Sequence, residues 1–122
     1  MSTLEPSETW RPPPPPARPD DGHKGTFGTV IVVGGSAAMP HAPAICARAA
    51  FRSGCGLVKL AAYADVLPAA LLTEPSATGI RLDSQDRRDG ELAALDAADP
   101  DQRAVLAVGP GLGGSPADGP GS

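Results

Sequence analysis

The apolar residues of this chain fall into short blocks separated by glycine-rich or polar connections. Thr29–Val33, TVIVV, is an unbroken run rich in β-branched residues and bounded by Gly28 and Gly34. Strands buried on both faces of a parallel sheet carry such continuous runs, so a strand is predicted there. Gly34, Gly35 and Ser36 follow at once and predict a tight turn. Pro43–Ser53, PAICARAAFRS, predicts a helix. Pro43 suits a first turn, where its missing N–H costs nothing. Arg48 and Arg52 stand four apart on one polar face, and Ile45, Ala49 and Phe51 are assigned to the apolar side. Gly54 is a natural C-terminal stop. Leu57–Ala62, LVKLAA, predicts a second strand. Strand, glycine turn, helix and strand in this order make a βαβ unit with parallel strands and a right-handed crossover.

Further along, Ala64–Leu72 reads as a short helix interrupted at Pro68, and Thr78–Leu82 as a short strand. Asp89–Ala98, DGELAALDAA, reads as a helix with Asp89 as its N-cap. Ala104–Val108, AVLAV, is expected to be a third buried strand running straight into Gly109–Gly114. The flanks are different. Pro12–Pro16 is five consecutive prolines, which favour a polyproline II rod. Such a rod can serve as a ligand for an SH3- or WW-type module, but a stiff spacer is the favoured reading. The expected organisation is a disordered Pro-rich tail over 1–22, a folded region over 23–114 and a disordered tail over 115–122.

Composition sharpens this division. The chain has 122 residues, with 15 Gly and 15 Pro, which alone would leave low complexity open. Its 41% hydrophobic content is too high for a wholly disordered polymer, so the apolar residues must be concentrated in the middle. The length allows one small domain. A formal charge of −4 argues against bulk electrostatic attraction to nucleic acid. No apolar run approaches a membrane span, and Met1–Trp10 lacks the apolar core of a secretory signal. Two cysteines, Cys46 and Cys55, are too few for a disulfide scaffold, and a cytoplasmic setting is expected.

The candidate chemistry lies in the glycines. Two predicted strands end in Gly-rich turns, at 34–36 and 109–114, and a parallel sheet places both at its carboxyl edge. Open α/β sheets bind ligands at that edge. Glycines let the backbone approach a ligand closely, and free N–H groups at a following helix start favour anions. A nucleotide-like ligand and mere turn geometry are about equally good explanations. Gly109, Gly111 and Gly114 fit G-x-G-x-x-G, but no acidic residue follows at the dinucleotide-binding distance. Cys46 and Cys55 read as small packing groups, and His23 and His41 as surface residues without metal-ligand spacing.

The blocks HKGTFGTVIVVGGS, APAICARAAFRSGCGLVKLA and AVLAVGPGLG, in this order, resemble the NAD(P)H-hydrate dehydratases of the ribokinase-like superfamily over His23–Gly113. The resemblance implies an α/β fold, namely part of a ribokinase-like three-layer architecture with a mostly parallel sheet. It implies a lyase that uses ADP or ATP, with Mg2+ allowed for, to dehydrate NADHX or NADPHX. Carried over by motif, the substrate-binding positions are Ala42 in the Ala-Pro pair, Gly34, Gly35 and Ser36 in the first turn, and Gly109, Gly111 and Gly113 in the second.

Two departures qualify the resemblance. His41 stands where the family usually has glycine before the Ala-Pro pair. The family's later histidine-containing motif and its Gly-x-Gly-Asp motif do not occur in the sequence. None of Asp83, Asp86, Asp89, Asp96, Asp99 or Asp101 lies in a comparable glycine-rich context, so no catalytic residue is assigned. The expectation is a truncated dehydratase, inactive alone, that binds a small dinucleotide and not nucleic acid or membrane. Homo-oligomers are a family tendency. The alternatives are a non-catalytic truncated or interaction fragment, and part of another ribokinase-like small-molecule kinase.

Overall fold

The structure, a computed structural model, describes residues 10–18, 20–22, 27–82 and 89–113, without the side chains of 89 and 90. Expectations for His23–Thr26, Asp83, Asp86, the capping side chain of Asp89, Gly114 and the tail over 115–122 lie outside the described residues. The element order is β1 (Thr29–Val33), α1 (Ala42–Arg52), β2 (Leu57–Tyr63), α2 (Leu67–Thr73), β3 (Thr78–Leu82), α3 (Asp89–Ala98) and β4 (Val105–Val108). Among the described residues these strands form one sheet in the order β3-β2-β1-β4. Every pairing is parallel, with Thr29 opposite Leu57, Val30 opposite Val105 and Lys59 opposite Thr78.

The continuous apolar character of β1 follows from its central place. Val32 packs with Val58 and Leu60 against Ala44 and Ala47 of α1 and Ala70 of α2. On the other face, Ile31 packs with Ala61 and Leu82, joined by Ala94, Leu95 and Ala98 of α3. The result is three layers, helix, sheet and helix, with Ile31 and Val32 fully buried. Burial of an aliphatic side chain of this size contributes about 1.5–3 kcal/mol.

Helix α1 shows how its ends were written into the sequence. Pro43 sits in the first turn, as expected. At the other end the Gly54 N–H donates to Phe51 O at 3.0 Å and the Cys55 N–H donates to Ala50 O at 3.2 Å. That pair of bonds is a Schellman motif, and it requires the left-handed φ of +104° that Gly54 supplies. The face assignment needs correction. Pro43, Ala44 and Ala47 are the buried residues, whereas Ile45 is 65% exposed and Ala49 is exposed. Spacings of three and four from Ala44 lead to Ala47 and Phe51, and Ile45 falls outside that stripe.

Two other expectations are corrected. Pro68 does not interrupt a helix; it lies in the first turn of α2, which begins only at Leu67. Strand β4 forms but is not buried: Val105 is 65%, Leu106 52% and Val108 61% exposed. The strand is apolar enough for a sheet interior, but it has β1 on one side only. The core clusters show α1 and α2 over β1 and β2, and α3 over β1, β2 and β3.

The proline-rich segment is anchored at its end. Residues 11–18 adopt no regular helix or strand and are exposed. Arg18 places its guanidinium 3.6 Å from the centre of the Phe27 ring. Its Nη1 donates to Gly54 O at 2.6 Å, at the C-terminal end of α1 where a cation is favoured.

Candidate binding site at the carboxyl edge

β1 and β4 are neighbours, so their glycine turns emerge side by side. The Gly109 N–H donates to Val33 O at 3.1 Å, extending the ladder by one step. Beyond it, the Gly35 N–H donates to Pro110 O at 2.8 Å, and the Gly34 N–H reaches Ala61 O at 3.2 Å on the far side. The turns are therefore a bonded unit that continues the sheet.

The approach of the backbones explains the glycines. A Cβ on Gly34 would lie 2.3 Å from Pro110 O, and one on Gly35 would lie 2.5 Å from Val66 Cγ1. A Cβ on Gly111 would lie 2.7 Å from the Ala42 Cβ and 2.9 Å from Met39 O. Gly111 also has a φ of +72°. Ala42, the first residue of α1, is thus packed against the second turn. The two positions expected to work together do meet, although they are far apart in sequence.

Ser36 belongs to the connection leading into α1. Its carbonyl accepts from the Met39 N–H at 3.0 Å, and its Oγ lies 3.3 Å from the same nitrogen. Gly113 has a φ of +47°, and a Cβ there would approach Met39 Cε at 3.3 Å. Gly109 differs from the others, with a φ of +131° but no atom within 4 Å of a Cβ position. Its glycine answers to conformation alone.

Met39 is the residue that the sequence did not single out. Its carbonyl and Cβ border Gly111, its Cε borders Gly113, and it is 47% exposed. A methionine in a Ser-Ala-Ala-Met-Pro loop carries no local sign of this role. Only the fold brings it over the second turn.

The start of α1 faces this same junction. His41 is its N-cap but makes no side-chain capping bond, and the first turn contains no acidic residue. The positive end of the helix dipole is therefore not neutralised by its own cap. The surface where backbone, glycines and an uncapped helix start meet is the candidate groove, of a kind that can accept an anionic or amide-bearing ligand. A cavity of about 970 Å3 opens at the opposite edge of the sheet. Pro15, Pro16 and Arg18 form one of its walls, facing Gly54 and Val105, so that cavity belongs to the packing of the proline-rich segment.

Arg48, Thr73 and Glu74 brace the helices beside the groove. Arg48 Nη2 donates to Thr73 O at 2.6 Å, and Arg48 Nε lies 3.3 Å from Glu74 Oε1. Glu74 Oε2 accepts from the Ser76 N–H at 3.3 Å. That backbone bond holds the Glu74 carboxyl below its ordinary pKa, with Arg48 adding to the effect and burial opposing it. Cys46 packs against the core, and Cys55 Sγ lies 3.3 Å from Gly28 O. Among the described residues no three His, Cys, Asp or Glu side chains are grouped to hold a metal ion, and no helix is long and apolar enough to cross a membrane.

Comparison with known proteins bears on the family and the fold. The ADP-dependent (S)-NAD(P)H-hydrate dehydratase of Bacillus subtilis is 35% identical over 97 residues, covering 80% of this chain and 33% of that protein. The enzyme of the same description from Neisseria meningitidis is 54% identical over 56 residues, 46% of this chain and 19% of that one. The crystal structure of the Bacillus subtilis ADP/ATP-dependent enzyme, co-crystallized with ATP/Mg2+, superposes with a TM-score of 0.62 at 33% identity. That match covers 84% of this chain and 35% of that one. A ribokinase-like superfamily protein from Enterococcus faecalis gives a TM-score of 0.64 at 27% identity, over 80% of this chain and 31% of that one. The chain thus spans about a third or less of the length of these relatives. The carbohydrate-kinase-type family model described as NAD(P)H-hydrate dehydratase matches residues 30–119, from β1 through both glycine turns. The chain belongs to the NAD(P)H-hydrate dehydratase family.

Proposed function

We propose that this chain forms the dinucleotide-facing part of an NAD(P)H-hydrate dehydratase and binds NADHX or NADPHX over its paired glycine turns. The observation that carries this reading is the junction of Gly35 with Pro110 and of Gly111 with Ala42 in a chain of that family. Gly34, Gly35, Ser36, Ala42, Gly109, Gly111 and Gly113 are the proposed contact positions. The N–H groups of Gly34, Gly35 and Gly109 hold the two turns to the sheet and to each other, so the role proposed for these positions is to form a low platform on which the ligand rests.

The chain alone is proposed to bind without turning over. Phosphoryl transfer needs groups that position the phosphates and stabilise charge. The sequence contains no Gly-x-Gly-Asp motif, and the described residues bring together no donor set for Mg2+. ADP or ATP with Mg2+ therefore does not fit the described part, and no transfer step is derived for it. The domain limits that follow are a Pro-rich segment over 1–22 and a family region over 23–114.

The test is direct. Purified chain is mixed with NADHX, in one arm alone and in another with ADP or ATP and Mg2+. Binding is followed by calorimetry and conversion by NADH absorbance. Saturable binding without NADH formation is expected. Formation of NADH at a rate proportional to the chain would overturn the proposed inactivity, and no binding would overturn the groove.

A further inference from the structure

His41, at the start of α1 and next to Ala42, ties its ring to the neighbouring helix α2. Its Nδ1 lies 2.7 Å from Thr73 Oγ1, on the last residue of α2. Thr73 Oγ1 also lies 3.0 Å from Ala69 O, one turn earlier in the same helix. A hydroxyl has a single proton, and a carbonyl oxygen can only accept. Both contacts are hydrogen bonds at once only when the Thr73 proton goes to Ala69 O and Thr73 Oγ1 accepts from the ring. In that arrangement Nδ1 carries the hydrogen. In a neutral imidazole that leaves Nε2 with its lone pair free.

The support behind this ring is continuous. Arg48 from α1 binds the Thr73 carbonyl and pairs with Glu74, which the Ser76 N–H holds in turn. Thr73 is thus fixed in its backbone as well as its hydroxyl. The ring itself is exposed, and its neighbour in the chain, Ala42, is the residue packed on Gly111. A glycine at this position would offer no acceptor.

Resting on the groove reading above, we propose that His41 is a specificity-determining residue whose Nε2 accepts a hydrogen bond from a hydroxyl or amide donor of the bound dinucleotide. Thr73 is its positioning residue. The ring favours a donor at that point, because a ligand with an acceptor or an apolar group there forgoes this hydrogen bond.

The experiment has two readouts on the full chain. With 15N-labelled histidine at about pH 8, where an ordinary imidazole is neutral, two-bond 15N–1H correlation spectra report which nitrogen holds the proton. His41 is expected in the Nδ1–H form, the opposite of the form that free imidazoles of histidine favour in water. Thr73→Val is expected to return it to the Nε2–H form. NADHX is then titrated into wild type, His41→Gln and His41→Phe. Loss of one hydrogen bond should weaken His41→Phe about three- to tenfold, with His41→Gln retaining most of the affinity through its amide oxygen. An Nε2–H ring in the wild type overturns the proposal, and so does equal affinity of wild type and His41→Phe. Those outcomes leave the groove standing. A wild type that shows the Nδ1–H ring but does not bind NADHX instead overturns the groove and, with it, the ligand role of His41.

Discussion

The Gly35 amide donates to the carbonyl oxygen of Pro110 at 2.8 Å, joining two turns that lie far apart in sequence. This bond makes the ends of β1 and β4 a single platform. It also places Gly34 under a steric restriction, because a Cβ there would come within 2.3 Å of the same oxygen.

Gly34→Ala is therefore expected to part the turns, at a cost of about 2 kcal/mol or more. Gly109→Ala meets no atom within 4 Å and pays only for its φ of +131°, about 1–3 kcal/mol. The two are distinguished by amide hydrogen exchange at Gly35. Exchange should accelerate sharply in Gly34→Ala relative to global unfolding and follow global stability in Gly109→Ala.

Gly111 and Met39 make a second pair to compare. Gly111→Ala combines a positive φ with contacts to Ala42 and Met39, so it should lose both stability and NADHX binding. Met39 is 47% exposed, so Met39→Ala should cost less than about 1 kcal/mol while changing NADHX affinity. Urea unfolding and calorimetry together check this. Unchanged affinity in Met39→Ala would remove Met39 from the groove.

Glu74 gives the fold a dependence on acid. Its carboxyl has a lowered pKa in the folded state, so its contribution is fully present above the ordinary carboxylate value of about 4.3. It is lost as the pH falls through the lowered folded value, since the unfolded chain then binds more protons. Glu74→Gln should lower the urea midpoint at neutral pH, and the two curves should converge in acid. A constant gap across the whole pH range would mean that the Glu74 charge is not responsible.

The apolar strand β4 predicts association. Among the described residues its outer side has no strand beside it, and VLAV carries no charged residue or proline of the kind that protects sheet edges. Sedimentation should show the average mass rising with concentration. Leu106→Lys should suppress that rise with little loss of stability, because Leu106 is already 52% exposed.

Much of the fold was legible because its signals are local. TVIVV between glycines marks β1 at its observed limits, and TGIRL and DGELAALDAA likewise mark β3 and α3. Pro68 was misread because a proline can either break a helix or begin one, and only the packing of Leu67 and Ala70 decides between them. The exposure of β4 was illegible for a deeper reason. Apolar residues state what a strand tolerates, while burial depends on which elements cover it. The glycine turns were placed on one edge by topology alone, but the bond from Gly35 to Pro110 and the contact of Gly111 with Ala42 are non-local. The tie between His41 and Thr73 has no sequence signature at all.

The parallel register has a last consequence, for the order of assembly. β1 is an inner strand whose two partners lie at very different distances along the chain. Leu57 and its neighbours become available soon after α1, whereas Val105 arrives only after α2, β3 and α3. During synthesis Val30, Ile31 and Val32 must keep one hydrogen-bonding side open until α2, β3 and α3 have been made. The groove turn at Gly34 and Gly35 is translated early, yet its partner at Pro110 is among the last described residues to emerge. The platform is complete only when β4 closes against β1.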